Sequence, residues 1–450
     1  MHLIYRSYLT KENYLNLLIF LMPASFIAGN MVININIILL ILSAIFFFKK
    51  GIFNLKYYFL DKLIFSFFLF IIFTGFYNDI YFYLTDAYPK GINTIIKSIL
   101  FLKYLFLYLT IRFLIEQKII NLKYFYYSCS LCSLFLCIDL FYQFIYKKDI
   151  FGYEIIFARK LSGPFGDELI AGGYLQRFSL FTFFILPYFY NNFPKKILIF
   201  LIPFIFFITT VALVLTGNRM PFVLYIFTVF LIVIFQKQTR KYLIPFLIIF
   251  IISMGFFLKS NSMYKKNFKS FYNQVANMSA LVIGKPINDR SVPNHVKEFS
   301  TFYDTWLMNK YIGGGIKNFR YYCHVRPNQN KESILSNQFI DNKKQKFICN
   351  MHPHNYYLEI LTETGLVGFL ILTTIFLIVL YESFYKKYFT KLQIAKNNII
   401  VPFIFLFIAE IFPIKSTGSF FTTGNATFYF LIMAIIIGLV RRDNLIENKS

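Results

Sequence analysis

The chain has 450 residues, of which 57% are hydrophobic and only 15% carry a charge. Soluble domains average roughly 25% charged residues, so this composition excludes an ordinary soluble protein. The formal charge of +25 lies mainly in short loops between apolar segments, which is typical of membrane-orientation signals and gives no support to nucleic-acid binding. We expect these basic loops to contact the anionic headgroups of membrane lipids.

Apolar stretches long enough to cross a hydrocarbon layer of roughly 30 Å recur along the chain. The second stretch follows the first at once, which favours a membrane hairpin over a cleaved signal peptide. The sequence predicts an all-α polytopic membrane protein with about twelve transmembrane helices, near residues 13–29, 31–48, 62–77, 94–114, 124–145, 169–190, 197–216, 220–236, 241–258, 366–385, 399–414 and 424–440.

One long polar segment separates the ninth predicted span from the tenth. We therefore expect an N-terminal bundle over residues 1–258, a loop over residues 259–364 and a C-terminal bundle over residues 365–450. Lys and Arg are concentrated in the short loops of one side, which predicts that this side is cytoplasmic and holds both termini. The long loop then lies on the outer side. The apolar spacing between Val292 and Leu307 predicts that this loop is mainly helical.

The five cysteines fall into two groups. Cys129, Cys132 and Cys137 lie inside one apolar span, where we expect them to pack as small hydrophobic residues. Cys323 and Cys349 lie in the outer loop, and an oxidising compartment favours a disulfide bond between them.

The segment from Thr216 to Pro221 joins two predicted spans on the outer side. Pro221 suits the first turn of a helix, and Asn218 or Thr216 is a suitable cap. Arg219 would then lie at a helix N-terminus, where free N–H groups and a guanidinium together favour a phosphate. An arginine that extends to lipid headgroups fits the position equally well.

The segment from Met351 to Phe369 places titratable groups where a polar loop enters an apolar span. Asn355 is expected to cap a helix that breaks near Gly365, so His354 would stand at the helix entrance, where an imidazole can serve as general base. Glu359 and Glu363 would share one helical face and orient a partner. A surface histidine pair without chemistry is the commoner outcome. The polar residues of the segment are His352, His354, Asn355, Glu359 and Glu363.

Other charged residues of the outer side are weaker candidates. The glycines between Tyr311 and Arg320 predict a tight turn that presents Lys317 and Arg320 to an anion. Arg290 lies upstream of the predicted loop helix. The five histidines show no metal-binding spacing, so no metal site is expected. The loop before the sixth span adds Arg159, Asp167 and Arg177 as possible supporting residues.

Three blocks of the sequence carry a resemblance to a known family. They are LSGPFGDELIAGGYL, LTGNRMPF and TWLMNKYIGGGIKNFR followed by HPHNYYLEILTETGLVGF, all within residues 150–380. In these blocks the chain resembles the O-antigen ligase and polymerase superfamily of bacterial inner membranes. The resemblance implies a metal-independent glycosyltransferase without a cofactor. Such an enzyme takes a glycan from an undecaprenyl-diphosphate carrier at the periplasmic face and passes it to an acceptor hydroxyl, that of lipid A-core in a ligase.

The resemblance also implies roles for single residues. Arg219 would hold the donor diphosphate, His354 would act as base or orient the acceptor, and Arg290 or Arg320 would supply a second arginine. An O-antigen polymerase and a protein O-oligosaccharyltransferase share these motifs, so both remain open. A transporter or flippase of about twelve spans also remains open, because four ionisable residues fall within predicted spans. These are Lys97, Lys103, Asp139 and Glu410.

Overall fold

The computed structural model describes residues 10–85, 93–156, 160–189, 195–236, 294–319, 353–389, 399–413 and 418–447, together with Cys323, Lys415 and scattered positions between 240 and 279. Throughout these ranges the chain forms helices and loops and no β-strand. The all-α prediction is therefore confirmed for the described part of the chain.

The helices are α1 (Lys11–Ala28), α2 (Asn30–Phe53), α3 (Phe59–Leu84), α4 (Asn93–Phe101), α5 (Lys103–Glu116), α6 (Leu122–Tyr146), α7 (Ala171–Phe178), α8 (Leu180–Phe189), α9 (Lys195–Leu215), α10 (Arg219–Phe235), α11 (Asn294–Met308), α12 (Tyr356–Leu380), α13 (Val401–Glu410) and α14 (Thr423–Glu447). Helix α12 continues as a π-helix over Tyr381–Phe389. Helix α11 falls where the apolar spacing predicted a loop helix.

Six helical segments among the described residues are long and apolar enough to cross a membrane. The multi-pass prediction is therefore confirmed, whereas the total of about twelve spans stays a prediction. Helices α9, α10 and α13 supply shorter apolar segments, and the predicted span at 169–190 is divided into α7 and α8 near Ser179. The six long segments are Asn30–Lys49, Phe59–Leu84, Asn93–Glu116, Leu122–Tyr146, Tyr356–Lys386 and Thr423–Asp443.

Helix α14 forms the centre of the bundle. Its apolar side chains are buried on every face, as expected for a helix enclosed by other helices. It packs most extensively against α5. The two backbones approach closely at Gly438, where an added Cβ would lie 3.0 Å from the Cβ of Ile115. Small residues permit such close helix packing inside a membrane.

A network of buried charges joins α3, α5 and α14 at one end of the bundle, which we call the Arg112 end. Asp61 forms an ion pair with Arg112 Nη1 at 2.8 Å and accepts hydrogen bonds from Arg441 Nη1 and the Tyr108 hydroxyl, each at 2.8 Å. Arg112 Nε also pairs with Glu116 at 2.6 Å. Two cations and two carboxylates thus neutralise each other, which offsets part of their desolvation cost.

Candidate functional site

His354 and Asn355 lie at the opposite end of the bundle, where α12 begins. The Asn355 side-chain oxygen accepts from the N–H groups of Tyr357 at 3.0 Å and Leu358 at 3.1 Å, so the predicted N-cap is confirmed. The Asn355 amide also donates to the Pro413 carbonyl at 2.8 Å. His354 is half-buried and has a φ of 53°, in the left-handed region that costs a non-glycine residue free energy. Its imidazole therefore stands at the helix entrance on a fixed backbone.

Arg219 is the first residue of α10, and its side chain is exposed. Asn218 occupies the cap position without a side-chain cap bond, and the Thr216 hydroxyl accepts from the Asn218 N–H at 3.3 Å. The positive end of the α10 helix dipole lies at this turn, which favours an anion. Gly172 packs against this turn, since an added Cβ would lie 2.7 Å from the Thr216 hydroxyl.

Two ring contacts show that Arg219 lies at the same end of the bundle as His354. The rings of Phe235 and Phe405 are 6.2 Å apart, and those of Phe227 and Phe412 are 5.1 Å apart, so α10 and α13 run antiparallel. Phe412 directly precedes Pro413, whose carbonyl accepts from Asn355. Arg219 lies a further ~12 Å beyond Phe227 along α10, at 1.5 Å per residue. We call this side of the molecule the His354 end.

Helix α12 is interrupted at Gly365, which has a φ of 63° and a ψ of −170°, so the predicted break is confirmed. Residues 310–315, the glycine segment, replace the helix bonds lost at the break. Gly314 N–H donates to the Thr362 carbonyl at 3.0 Å, and Gly315 N–H donates to the Glu363 carbonyl at 2.8 Å. In the other direction, residues 366 and 367 donate to the carbonyls of residues 310 and 311, at 2.9 and 3.2 Å.

The glycine segment also reaches α3, because the Asn78 amide donates to the Gly313 carbonyl at 3.0 Å. A Cβ at Gly313 would lie 2.3 Å from the Gly365 nitrogen, so only glycine permits this approach. The predicted tight turn is thus part of a four-bond connection across a broken helix. Broken helices inside membranes need such replacement partners for their backbone. Lys317 follows the segment with an exposed side chain and a φ of 55°.

Glu359 and Glu363 are both buried on α12. Glu359 accepts from the Phe420 N–H at 2.6 Å and from the Ser419 hydroxyl, so it binds the turn that leads into α14. Glu363 has one carboxylate oxygen, Oε2, without a hydrogen-bond partner. Lys317 is close enough to interact electrostatically with both carboxylates. The structure therefore gives Glu359 a partner in the α14 turn, and the supporting roles of both residues at the site stay predictions.

Arg177 is part of a buried cluster that sequence reasoning missed. Its Nε and Nη2 pair with the two carboxylate oxygens of Glu410 at 3.0 and 3.1 Å, and Nη2 also donates to Asn425 at 2.7 Å. Lys415 binds the same carboxylate and lies 4.8 Å above the centre of the Tyr356 ring. Burial lowers the pKa of the Lys415 ammonium to about 7, against the opposing charge of Glu410. The only sequence signal was a carboxylate in an apolar span with a lysine shortly after it.

The remaining predicted residues are not brought into these contacts. Asp167 is exposed on the loop before α7. Cys323 is disulfide-bonded, but its predicted partner lies outside the described residues, so the pairing stays a prediction. Cys129, Cys132 and Cys137 are free thiols within α6, as expected. The predicted residues outside the described ranges are Arg159, Arg290, Arg320, Cys349 and His352.

The other ionisable residues in spans have local partners. Lys103 donates to the Asn34 amide oxygen at 2.7 Å, and Asp139 accepts from the Ile150 N–H at 2.8 Å. Glu410 belongs to the cluster with Arg177. In the described part of the chain, no group of three or more His, Cys, Asp or Glu residues is arranged to hold a metal ion.

The long apolar helices define a multi-pass helical membrane protein. A family model described as O-antigen ligase matches residues 204–373, from α9 into α12. The resemblance to the O-antigen ligase and polymerase superfamily is thereby confirmed, and the matched region contains both Arg219 and His354. None of the curated proteins matches the chain.

Proposed function

We propose that this protein transfers an O-antigen-like glycan from an undecaprenyl-diphosphate carrier to a hydroxyl group of lipid A-core, at the periplasmic face of the bacterial inner membrane. The observation that carries the proposal is the O-antigen ligase match, which includes two helix starts at one end of the bundle. One helix start presents the Arg219 guanidinium and the other presents the His354 imidazole.

The reaction needs a leaving group with stabilised charge and an acceptor that loses its proton. The acceptor oxygen attacks the anomeric carbon of the donor, and the bond from that carbon to the phosphate oxygen breaks. His354 takes the acceptor proton at an imidazole nitrogen, and the undecaprenyl diphosphate leaves with the electron pair. Arg219 and the positive end of the α10 helix dipole stabilise the negative charge that grows on the diphosphate.

Further cations would assist the diphosphate. Lys317 is exposed at the end of the glycine segment, and Arg290 or Arg320 is the second arginine that the family likeness implies. A guanidinium suits this role because it forms two parallel hydrogen bonds with phosphate oxygens. The carbon–oxygen exchange requires no redox cofactor, and we propose that it requires no metal.

The test is glycan transfer by purified protein in lipid nanodiscs, with donor and acceptor lipids extracted from cells that lack the protein. Arg219→Ala and His354→Ala should each reduce transfer by roughly 100-fold or more. Arg240→Ala is the matched control, because Arg240 caps the opposite end of α10 by donating to the Val233 carbonyl at 2.6 Å. Transfer should also persist in EDTA. Near-normal transfer by both site variants would overturn the mechanism, and loss of transfer in EDTA would overturn metal independence.

An O-antigen polymerase is the second candidate, because the same superfamily includes it. The lipid profile of a deletion strain distinguishes the two. Loss of a ligase should leave long carrier-linked glycans and remove them from lipopolysaccharide, whereas loss of a polymerase should leave single carrier-linked repeats. Loss of glycan from a protein alone would assign a protein O-oligosaccharyltransferase. An unchanged set of glycoconjugates would favour a transporter of another substrate.

A further inference from the structure

Arg177, Glu410 and Lys415 form a buried cluster of charged residues next to the start of α12. Glu410 is 1% exposed and Lys415 is 2% exposed, and both charges sit in the protein interior. Arg177 holds the two oxygens of Glu410 in a side-on pair, and Lys415 binds one of the same oxygens. The groups that face Lys415 are Glu410 from α13, Arg177 from α7, Tyr356 from α12 and Tyr429 from α14.

The short segment between Glu410 and Lys415 carries the start of α12. The Ile411 carbonyl accepts from the Tyr357 hydroxyl, and the Pro413 carbonyl accepts from the Asn355 amide at 2.8 Å. The Lys415 ammonium, at the end of this segment, pairs with the carboxylate of Glu410, at its start. The Lys415 backbone N–H donates to the Phe412 carbonyl at 3.1 Å. The ion pair between Glu410 and Lys415 therefore closes a loop whose two carbonyls fix the N-cap.

His354 directly precedes that N-cap. Its left-handed backbone costs free energy, and such a conformation persists only where surrounding contacts enforce it. The neighbouring Asn355 side chain is held on two sides, toward α12 and toward Pro413. A displacement of Pro413 would therefore move Asn355, and with it the imidazole of His354.

We propose that Glu410 and Lys415 are positioning residues of the transfer reaction, which hold His354 in place through Pro413 and Asn355. This inference rests on the proposed function, because it assigns a purpose to the geometry of His354. A misplacement of about 1 Å costs up to roughly 100-fold in rate, so a modest relaxation of the loop is sufficient to affect turnover.

The main test replaces Lys415 in the full-length protein. Lys415→Met leaves the pair between Arg177 and Glu410 intact, so the bundle should still fold. We expect kcat to fall by about 10-fold to 100-fold with the KM for the donor lipid unchanged, and Lys415→Arg to restore most of kcat. Lys386→Met is the matched control, because its ion pair with Glu382 is exposed. A normal kcat in Lys415→Met would overturn the inference, and so would an equal loss in Lys415→Arg.

Asn355→Asp tests the connection itself. The aspartate keeps the oxygen that caps α12 and removes the amide that donates to Pro413. If the positioning runs through this bond, the double variant with Lys415→Met should lose no more kcat than the more affected single variant. Additive losses would show that the two residues act separately and would contradict the proposal.

The pH profile supplies an independent readout. Burial lowers the pKa of the Lys415 ammonium to about 7, so its attraction to Glu410 weakens as the pH rises through neutrality. We expect kcat to decline above neutral pH in the unmodified protein and to stay level in Lys415→Arg, whose guanidinium remains charged. The same decline in both proteins would show that titration of Lys415 does not cause the loss of kcat above neutral pH.

His354→Ala separates the two proposals. If His354→Ala transfers glycan normally, the proposed mechanism fails whatever Lys415 does. If His354→Ala is inactive while Lys415→Met keeps a normal kcat, the mechanism stands and the positioning role fails.

Discussion

Replacing Gly365 with alanine tests the connection between α12 and the glycine segment. The substitution forces an L side chain into a φ of 63° and a ψ of −170°, which costs about 1–3 kcal/mol. The new Cβ would also lie 2.3 Å from the Tyr311 carbonyl oxygen, which is backbone and must move. Each of the four cross-bonds contributes about 1 kcal/mol, so losing two to four of them brings the total to roughly 3–7 kcal/mol.

The assay is thermal unfolding of the purified protein in detergent, followed by tyrosine fluorescence. Gly365→Ala should lower the unfolding midpoint by several degrees. Gly173→Ala is the matched control, because an added Cβ there meets no atom within 4 Å and alanine favours a helix. If both variants unfold within about one degree of the unmodified protein, the connection is not what stabilises the broken helix, and the reasoning fails.

Two further predictions concern the charge network and the cysteines. Asp61→Asn leaves Arg112 and Arg441 facing each other across a buried site, so it should destabilise the fold by about 3 kcal/mol, whereas Lys386→Gln at an exposed pair should cost less than about 1 kcal/mol. Unfolding in graded denaturant measures both, and equal midpoints would contradict the structural role of the network. Maleimide labelling of the denatured protein should count three thiols, and five after reduction, as expected if Cys323 pairs with Cys349. Five thiols without reductant would disprove that bond.

Features set by neighbouring residues were predictable from the sequence. The cap at Asn355 depends on a side-chain acceptor directly before the first helical residue. The break at Gly365 depends on a backbone angle that glycine alone adopts freely. The apolar stretches likewise gave the helical membrane class, because hydrocarbon thickness sets a minimum helix length.

Features set by distant residues were not predictable. Arg177 and Glu410 are 233 positions apart, and no local pattern states that α7 and α13 meet. Arg177 was therefore expected only as a supporting residue, and its partner was first considered as evidence for a transporter. The glycine segment was expected as an isolated turn for the same reason, since its bonding partners lie on α12 some fifty positions later.

The interruption of α12 has a consequence for biogenesis. A continuous helix enters the bilayer with its backbone already satisfied, but the carbonyls of Thr362 and Glu363 find their donors on residues synthesised earlier. The backbone of this membrane segment is therefore fully bonded only once the preceding loop has packed against it.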